Sequence, residues 1–287
     1  MFKKVALVKT NNSKENLLYF SEKLQPMKIG LALGSGAARG IAFAPMVQKL
    51  IDEGVKIDMV AGSSIGAVSA ALLGIHNSGE DIVKLAKGMN TAQIFLKLVD
   101  LAYPGNSILR GKKLKRVLKK EFFKDKTFAD CSPKVIIVGT SLKTKKAIYF
   151  EKGNIVEAIM SSIALPGLLP PYNYQNDWFI DGGIVDPVPI QVLLDRGCDK
   201  VIAIDILETN EAIPKKTYAV IAHTFCMFLE QQVINPDPKK VFLLKPKFNS
   251  PFADAYQFHK WKKFYDPGKK EIEKMWPKLK KWLNHSK

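Results

Sequence analysis

The stretch Ile57–Gly74, IDMVAGSSIGAVSAALLG, constrains the fold more than any other part of the chain. An apolar run of strand character ends in Gly62-Ser63-Ser64-Ile65-Gly66, and an alanine-rich run of helical character begins at once. A junction of this kind needs its smallest residues where strand and helix approach, and it leaves the central serine on a tight turn at a sheet end. The same order occurs just upstream. "KIGLALGSG" (28–36) reads as a buried strand running into glycine, and "IAFAPMVQKLIDEGV" (41–55) carries Met46, Val47, Leu50 and Ile51 at helical spacing before Gly54. Strand, helix, strand, helix in so short a span predicts a parallel sheet with crossover helices. Segments 134–141, 146–150, 177–183, 200–206 and 239–246 read as further strands of that plan, and 190–198 as a helix. "AVIAHTFCMFL" (219–229) reads equally as strand or buried helix.

A chain of 287 residues with 47% apolar content can build one large buried core. The main domain is expected over 28–246, after an extension at 1–27 that holds a short strand at Val5–Val8. Behind it, 247–287 is a basic C-terminal segment. Ile272, Met275, Trp276, Leu279, Trp282 and Leu283 stand there near helical spacing, and Pro277 is expected to kink or interrupt the helix. No uncharged apolar run is long enough to span a bilayer, and Val5–Val8 is too short for a signal-peptide core, so a cytoplasmic location is expected. Cys131, Cys198 and Cys226 are far apart and form no metal-ligand pattern, which reads as free thiols.

Two loops carry chemistry. In the first, G-x-S-x-G makes Ser64 the candidate nucleophile, with Gly62 and Gly66 permitting the close approach of strand and helix. A glycine-rich strand–helix turn without catalysis is the bland alternative. The second, "GSGAARG" (34–40), follows the first strand. Gly34, Gly36 and Gly40 loosely fit a nucleotide fingerprint, but the acidic residue that a dinucleotide site wants at the end of the second strand is replaced by "GSS". A phosphate-binding P-loop would need lysine and Ser or Thr around the last glycine, where Arg39 precedes Gly40 and Ile41 follows. The remaining reading is an oxyanion hole built from backbone amides near Gly36 and Ala37.

A serine needs a base. His76, His223, His259 and His285 occupy no position that marks catalysis, and His223 lies in an apolar run. Asp181, in "WFIDGGIVDPVP", ends an apolar strand before Gly182 and Gly183 and would stand at the C-terminal edge of the sheet. Partial desolvation raises a carboxylate from its usual feeble basicity.

Taken together, "GLALGSGAARGIAFAPMVQKL", "DMVAGSSIGAV", "IMSSIALPGLLPP" and "DGGIVDPVP" resemble the patatin-like phospholipase family, and within it the bacterial acyl-hydrolase branch, over roughly residues 28–206. The resemblance implies a three-layer α/β/α fold with a mostly parallel central sheet. It implies a dyad of Ser64 and Asp181, an oxyanion hole from the amides around Ser35, Gly36 and Ala37, and cleavage of lipid acyl esters through an acyl-enzyme without metal or cofactor. Gly34, Arg39, Gly40, Gly62, Gly66, Gly182 and Gly183 match the family's motifs. Ser35 and Ala37 stand where the family usually has glycine, Phe43 where histidine is common, and Ser141 where an acid often follows the strand.

The net charge of +17 admits nucleic acid, an anionic membrane surface or acidic proteins as partners. No RNA-binding aromatic motif or zinc finger accompanies it, which argues against nucleic acid. "LRGKKLKRVLKKEFF" (109–123) reads as an amphipathic helix with Leu114, Val117, Leu118 and Phe122 on one face and lysines around the rest. Its basic side reads as an ordinary solvated helix surface or as a face that meets anionic lipid, and Trp276 and Trp282 among lysines as a helix packed on the core or as anchors at a headgroup boundary. "SSIALPGLLPPYNY" (161–174) suits the wall of an acyl slot. The leading expectation is therefore a hydrolase of phospholipids or lysophospholipids, peripheral on the inner face of the membrane. The rivals are a basic binding module without catalysis and a Ser-His-Asp esterase using His223.

Overall fold

The computed structural model describes residues 27–88, 100–102, 107–207, 216–233, 236–249 and 257–284. The strand expected at Val5–Val8 lies outside them. One mixed sheet of eight strands organises the described residues. Its parallel part runs β3 (Lys134–Ser141), β2 (Met59–Ser63), β1 (Ile29–Leu33), β7 (Lys200–Ile204), β8 (Val241–Leu244). The middle strands alternate between two buried faces, as the pleat requires. Leu31, Leu33, Val60, Val135, Ile137, Ile202 and Ile204 enter the large core on one face. Ala32, Ala61, Ile136, Val201 and Ala203 enter a smaller core on the other.

Helices cover both faces. The large core takes α1 (Phe43–Asp52), α2 (Ile65–His76), α3 (Glu80–Gly88) and α5 (Ile155–Ser162); the small one takes Val192 and Leu193 of the short α6 (Gln191–Asp195). Between α3 and α5 lies α4 (Lys112–Val117), which passes into a π-helical turn at Leu118–Phe123. That wider turn shifts the expected apolar face by one residue, so Phe123 is buried beside Leu118 and Phe122 only partly. The ambiguous apolar run is α7 (Thr217–Gln231), a helix.

The last helix, α8 (Trp261–Asn284), returns to the large core with Phe264, Ile272 and Leu279. Pro277 neither stops nor splits it. Glu273, whose carbonyl loses its donor to the proline, is exposed to water, while the stripe on the opposite face stays buried. The tryptophans of this helix pack inward. Trp276 lies under the Lys49 ammonium at 5.3 Å, and Trp282 donates its indole N–H to Pro238 O at 3.0 Å and lies tilted against Phe242.

The sheet departs from the all-parallel plan on one side of β3. β4 (Ala147–Phe150) follows β3 after a tight turn too short for a crossover, and so pairs antiparallel. β6 (Asp177–Asp181) is also antiparallel to β3, and forms a hairpin with β5 (Tyr172–Tyr174) through Gln175 and Asn176, both at positive φ. The register decides what this achieves. Ile137 and Val138 pair with both β2 and β4, and Gly139 and Thr140 with both β4 and β6. A strand has two edges, so β2 and β6 share one of them. β2 climbs it and ends at Ser63 opposite Val138; β6 descends it and ends at Asp181 opposite Gly139. The two strand ends therefore meet head-on, and the residues that leave them face each other.

Candidate active site

Ser64 leaves β2 with φ 55° and ψ −121°, then α2 begins. This turn exists only because glycine flanks it. A Cβ on Gly66 would stand 2.0 Å from Leu33 O, and one on Gly62 2.1 Å from Gly66 O. Both obstacles are backbone and cannot swing aside. Gly66→Ala is expected to lower the unfolding midpoint by an amount equivalent to about 3 kcal/mol or more, measured by thermal or urea denaturation. A variant as stable as wild type would refute this account of the turn.

The strand-end geometry sets the Ser64 Oγ–H against Asp181, to whose Oδ2 it donates at 2.6 Å. Asp181 is held on all sides. Its amide donates to Ala164 O at 3.0 Å, its carbonyl accepts from Thr140 Oγ1 at 2.8 Å, and its Oδ1 accepts from the Gly183 amide at 2.8 Å. Burial pushes the Asp181 carboxyl up to about 6, against the opposing pull of the Ser64 hydroxyl and the Gly183 amide. Ser64's hydroxyl thus meets a carboxylate; among the described residues no histidine bonds to it. His223 is partly buried on α7.

The loop after β1 reaches the same place from the other side. Its first two amides are engaged: Gly34 N–H donates to Ile204 O at 3.0 Å and Ser35 N–H to Pro187 O at 2.8 Å. This removes the Ser35 amide from the expected oxyanion hole. Gly36 and Ala37 follow at φ 154° and 50°, at the start of a 3-10 turn over Ala37–Ala42. Their amides find no acceptor among the described residues, as expected of the first donors of a helical turn. The Ser35 hydroxyl is buried against Gly183, and Arg39 is buried under the loop, its guanidinium 4.7 Å from the Phe248 ring centre and near Ile206 O. Arg39 thus ties the loop to the segment that follows β7.

Two neighbours of the elbow escaped the sequence reading. Ser162, the last residue of α5, accepts the Ser64 amide at 2.9 Å through its Oγ. Asp186 is a half-buried carboxyl, raised to about 6 by desolvation, which accepts from Tyr149 Oη at 3.0 Å. Its carbonyl takes the hydroxyl of Ser63 at 2.5 Å, so the two adjacent serines point to different acids' segments and only Ser64 meets a carboxylate.

A serine on a strand–helix elbow, a partner acid at the same sheet end and a loop of unengaged amides together have the layout of an α/β serine hydrolase. The model of the patatin-like phospholipase family matches residues 31–194, more than half of the chain. The chain belongs to the patatin-like phospholipase family. An uncharacterised NTE family protein of Mycobacterium tuberculosis is 32% identical over 191 residues, 66% of this chain and 51% of the relative. Lysophospholipase NTE1 of Saccharomyces cerevisiae is 28% identical over 206 residues, 70% of this chain and 12% of the relative. The chain thus spans about half the length of the mycobacterial relative and a small part of the yeast one. Among solved structures, VipD from Legionella pneumophila superposes with a TM-score of 0.55 at 16% identity, covering 87% of this chain and 67% of that one, a likeness of fold.

Proposed function

We propose that the protein is a lipid acyl hydrolase working through a Ser64–Asp181 dyad, with phospholipid or lysophospholipid as substrate. The observation that carries the reading is the 2.6 Å hydrogen bond from Ser64 Oγ to a buried carboxylate. Asp181 Oδ2 takes the Ser64 proton as Oγ attacks the ester carbonyl carbon. The negative charge that develops on the carbonyl oxygen falls to the Gly36 and Ala37 amides. Collapse expels the lipid alcohol, which takes the proton back from Asp181 and leaves Ser64 acylated. Water then attacks the acyl-enzyme, giving its proton to Asp181, and the fatty acid departs as Ser64 is regenerated. An acid held near about 6 is a competent base at neutral pH and still a usable acid for the leaving group.

The relatives named lysophospholipase favour a substrate with one acyl chain. Because the proposed substrate is a lipid, we place the enzyme on a membrane surface as a peripheral protein; no helix among the described residues is long and apolar enough to cross a membrane. Cys131, Cys198 and Cys226 are free thiols, which suits a reducing compartment such as the cytoplasm. The test is fatty-acid release from lysophosphatidylcholine and from diacyl phospholipid, with fluorophosphonate labelling of Ser64 followed by peptide mapping. Release together with label on Ser64 is the expected result. A folded wild-type protein that neither releases fatty acid nor takes label would overturn the reading and favour a basic binding module.

A further inference from the structure

Several large apolar side chains stay exposed among the described residues near the sheet end that bears Ser64. Leu142 follows the C-terminal end of β3, and its amide bonds to Trp178 O, so these two form one exposed patch at the start of β6. Ile108 stands 61% exposed where its amide bonds to Gly167 O, in the loop that follows Ser162, and Leu101 lies beside it through the bond from Ala102 N–H to Ile108 O. Val185 comes directly after the Asp181 turn.

Another exposed apolar patch is on α7. Its inner side, Ala222, Cys226 and Leu229, packs on Leu207 and Ala37, beside the amide loop. Its outer side carries Val220, Ile221, Met227 and Phe228, with Ile221 65% exposed. A helix apolar on both sides is a helix that something covers. Exposed cations flank these patches: Arg110 beside Ile108, Lys143, Lys145 and Lys146 beside Leu142, and Lys216 at the start of α7. On α4, Lys115 is bonded to Glu157 and Lys119 to Asp125, and the α8 tryptophans are packed inward.

We infer that the sheet end bearing Ser64 is a membrane-docking face, with the outer side of α7 and the Leu142–Trp178 patch entering an anionic phospholipid bilayer around the site mouth. Apolar groups enter the interface while the flanking lysines and Arg110 meet lipid phosphates. The inference rests on the hydrolase reading only in that the substrate is itself a bilayer lipid.

The test uses the full chain carrying Ser64→Ala, so that vesicles stay intact, and measures sedimentation with phosphatidylcholine vesicles with and without phosphatidylglycerol. Binding should require the anionic lipid, and Ile221→Glu with Phe228→Glu should weaken it by about tenfold or more. Bromine-labelled acyl chains should quench a fluorescence component that Trp178→Phe removes. Lys119→Glu with Lys120→Glu, on α4, should have little effect. The inference is overturned if neither vesicle binds, if the α7 pair binds like the parent, or if the α4 pair alone abolishes binding. These outcomes are independent of turnover, so absence of hydrolysis by the wild type would sink the enzymatic reading without touching this one.

Discussion

Ser64→Ala is expected to abolish fluorophosphonate labelling and to lower lipid turnover by about 10⁶-fold, the scale on which loss of the nucleophile acts in serine hydrolases. The neighbouring serine provides the internal control. Ser63 is fully buried and its hydroxyl is bonded to the Asp186 carbonyl, whereas Ser64 is half-buried and its hydroxyl is bonded to a carboxylate. Ser63→Ala therefore removes a structural hydrogen bond, costing about 1 kcal/mol of stability, and should keep the label. The fold should survive Ser64→Ala, because the elbow is held by the Ser64 amide on Ser162 and by the glycines, none of which the substitution touches. Label that persists on a folded Ser64→Ala, or that moves to Ser63, would refute the assignment.

The elbow was legible in the sequence because its causes are local. A strand, a helix and the close approach between them leave glycine and alanine at fixed offsets, and those offsets survive without any knowledge of the rest of the chain. The parallel strands were legible for a similar reason, since each buries both faces and reads as an unbroken apolar run. The antiparallel strands β4 and β6 also read as short apolar runs, though more aromatic and less buried, and the length and geometry of the connections set their direction. Asp181 was thus found at the correct sheet end but by way of a strand running against the plan.

What stayed hidden depends on contacts between distant parts of the chain. Ser162 reaches Ser64 across 98 residues and Asp186 O reaches Ser63 across 123, and a serine or aspartate in a Pro- and Gly-rich loop carries no mark of such a partner. The Ser35 amide reads as free in a glycine-rich loop, and Pro187 O that takes it up lies in a different motif. Pro277 reads as a breaker because propensity is local, while the burial of Ile272 and Leu279 on either side is not.

Asp181→Asn separates the dyad from every other reading, because it should lower turnover without lowering stability. An amide cannot take the Ser64 proton, and loss of a general base costs about 10²–10⁴-fold in kcat/KM. Wild-type kcat/KM should rise about tenfold per pH unit below the Asp181 pKa of about 6 and level off above it, since only the ionised carboxylate is a base. The variant's profile should be flat across that range. Stability runs the opposite way. The folded state raises this carboxyl from 3.8 to about 6, so it holds a proton that the unfolded chain has released between those values. The stabilisation is present in full below the unfolded value and is lost as pH rises through the folded one, and Asp186 adds a loss of the same sign. Asparagine never ionises, so the variant escapes the Asp181 part, up to about 3 kcal/mol. Its unfolding midpoint should match wild type in acid and equal or exceed it in mild alkali. His223→Ala separates the dyad from a histidine-dependent mechanism: the profile should persist in that variant. A profile that disappears with His223, while Asp181→Asn turns over like wild type, would replace the dyad with a histidine-dependent mechanism.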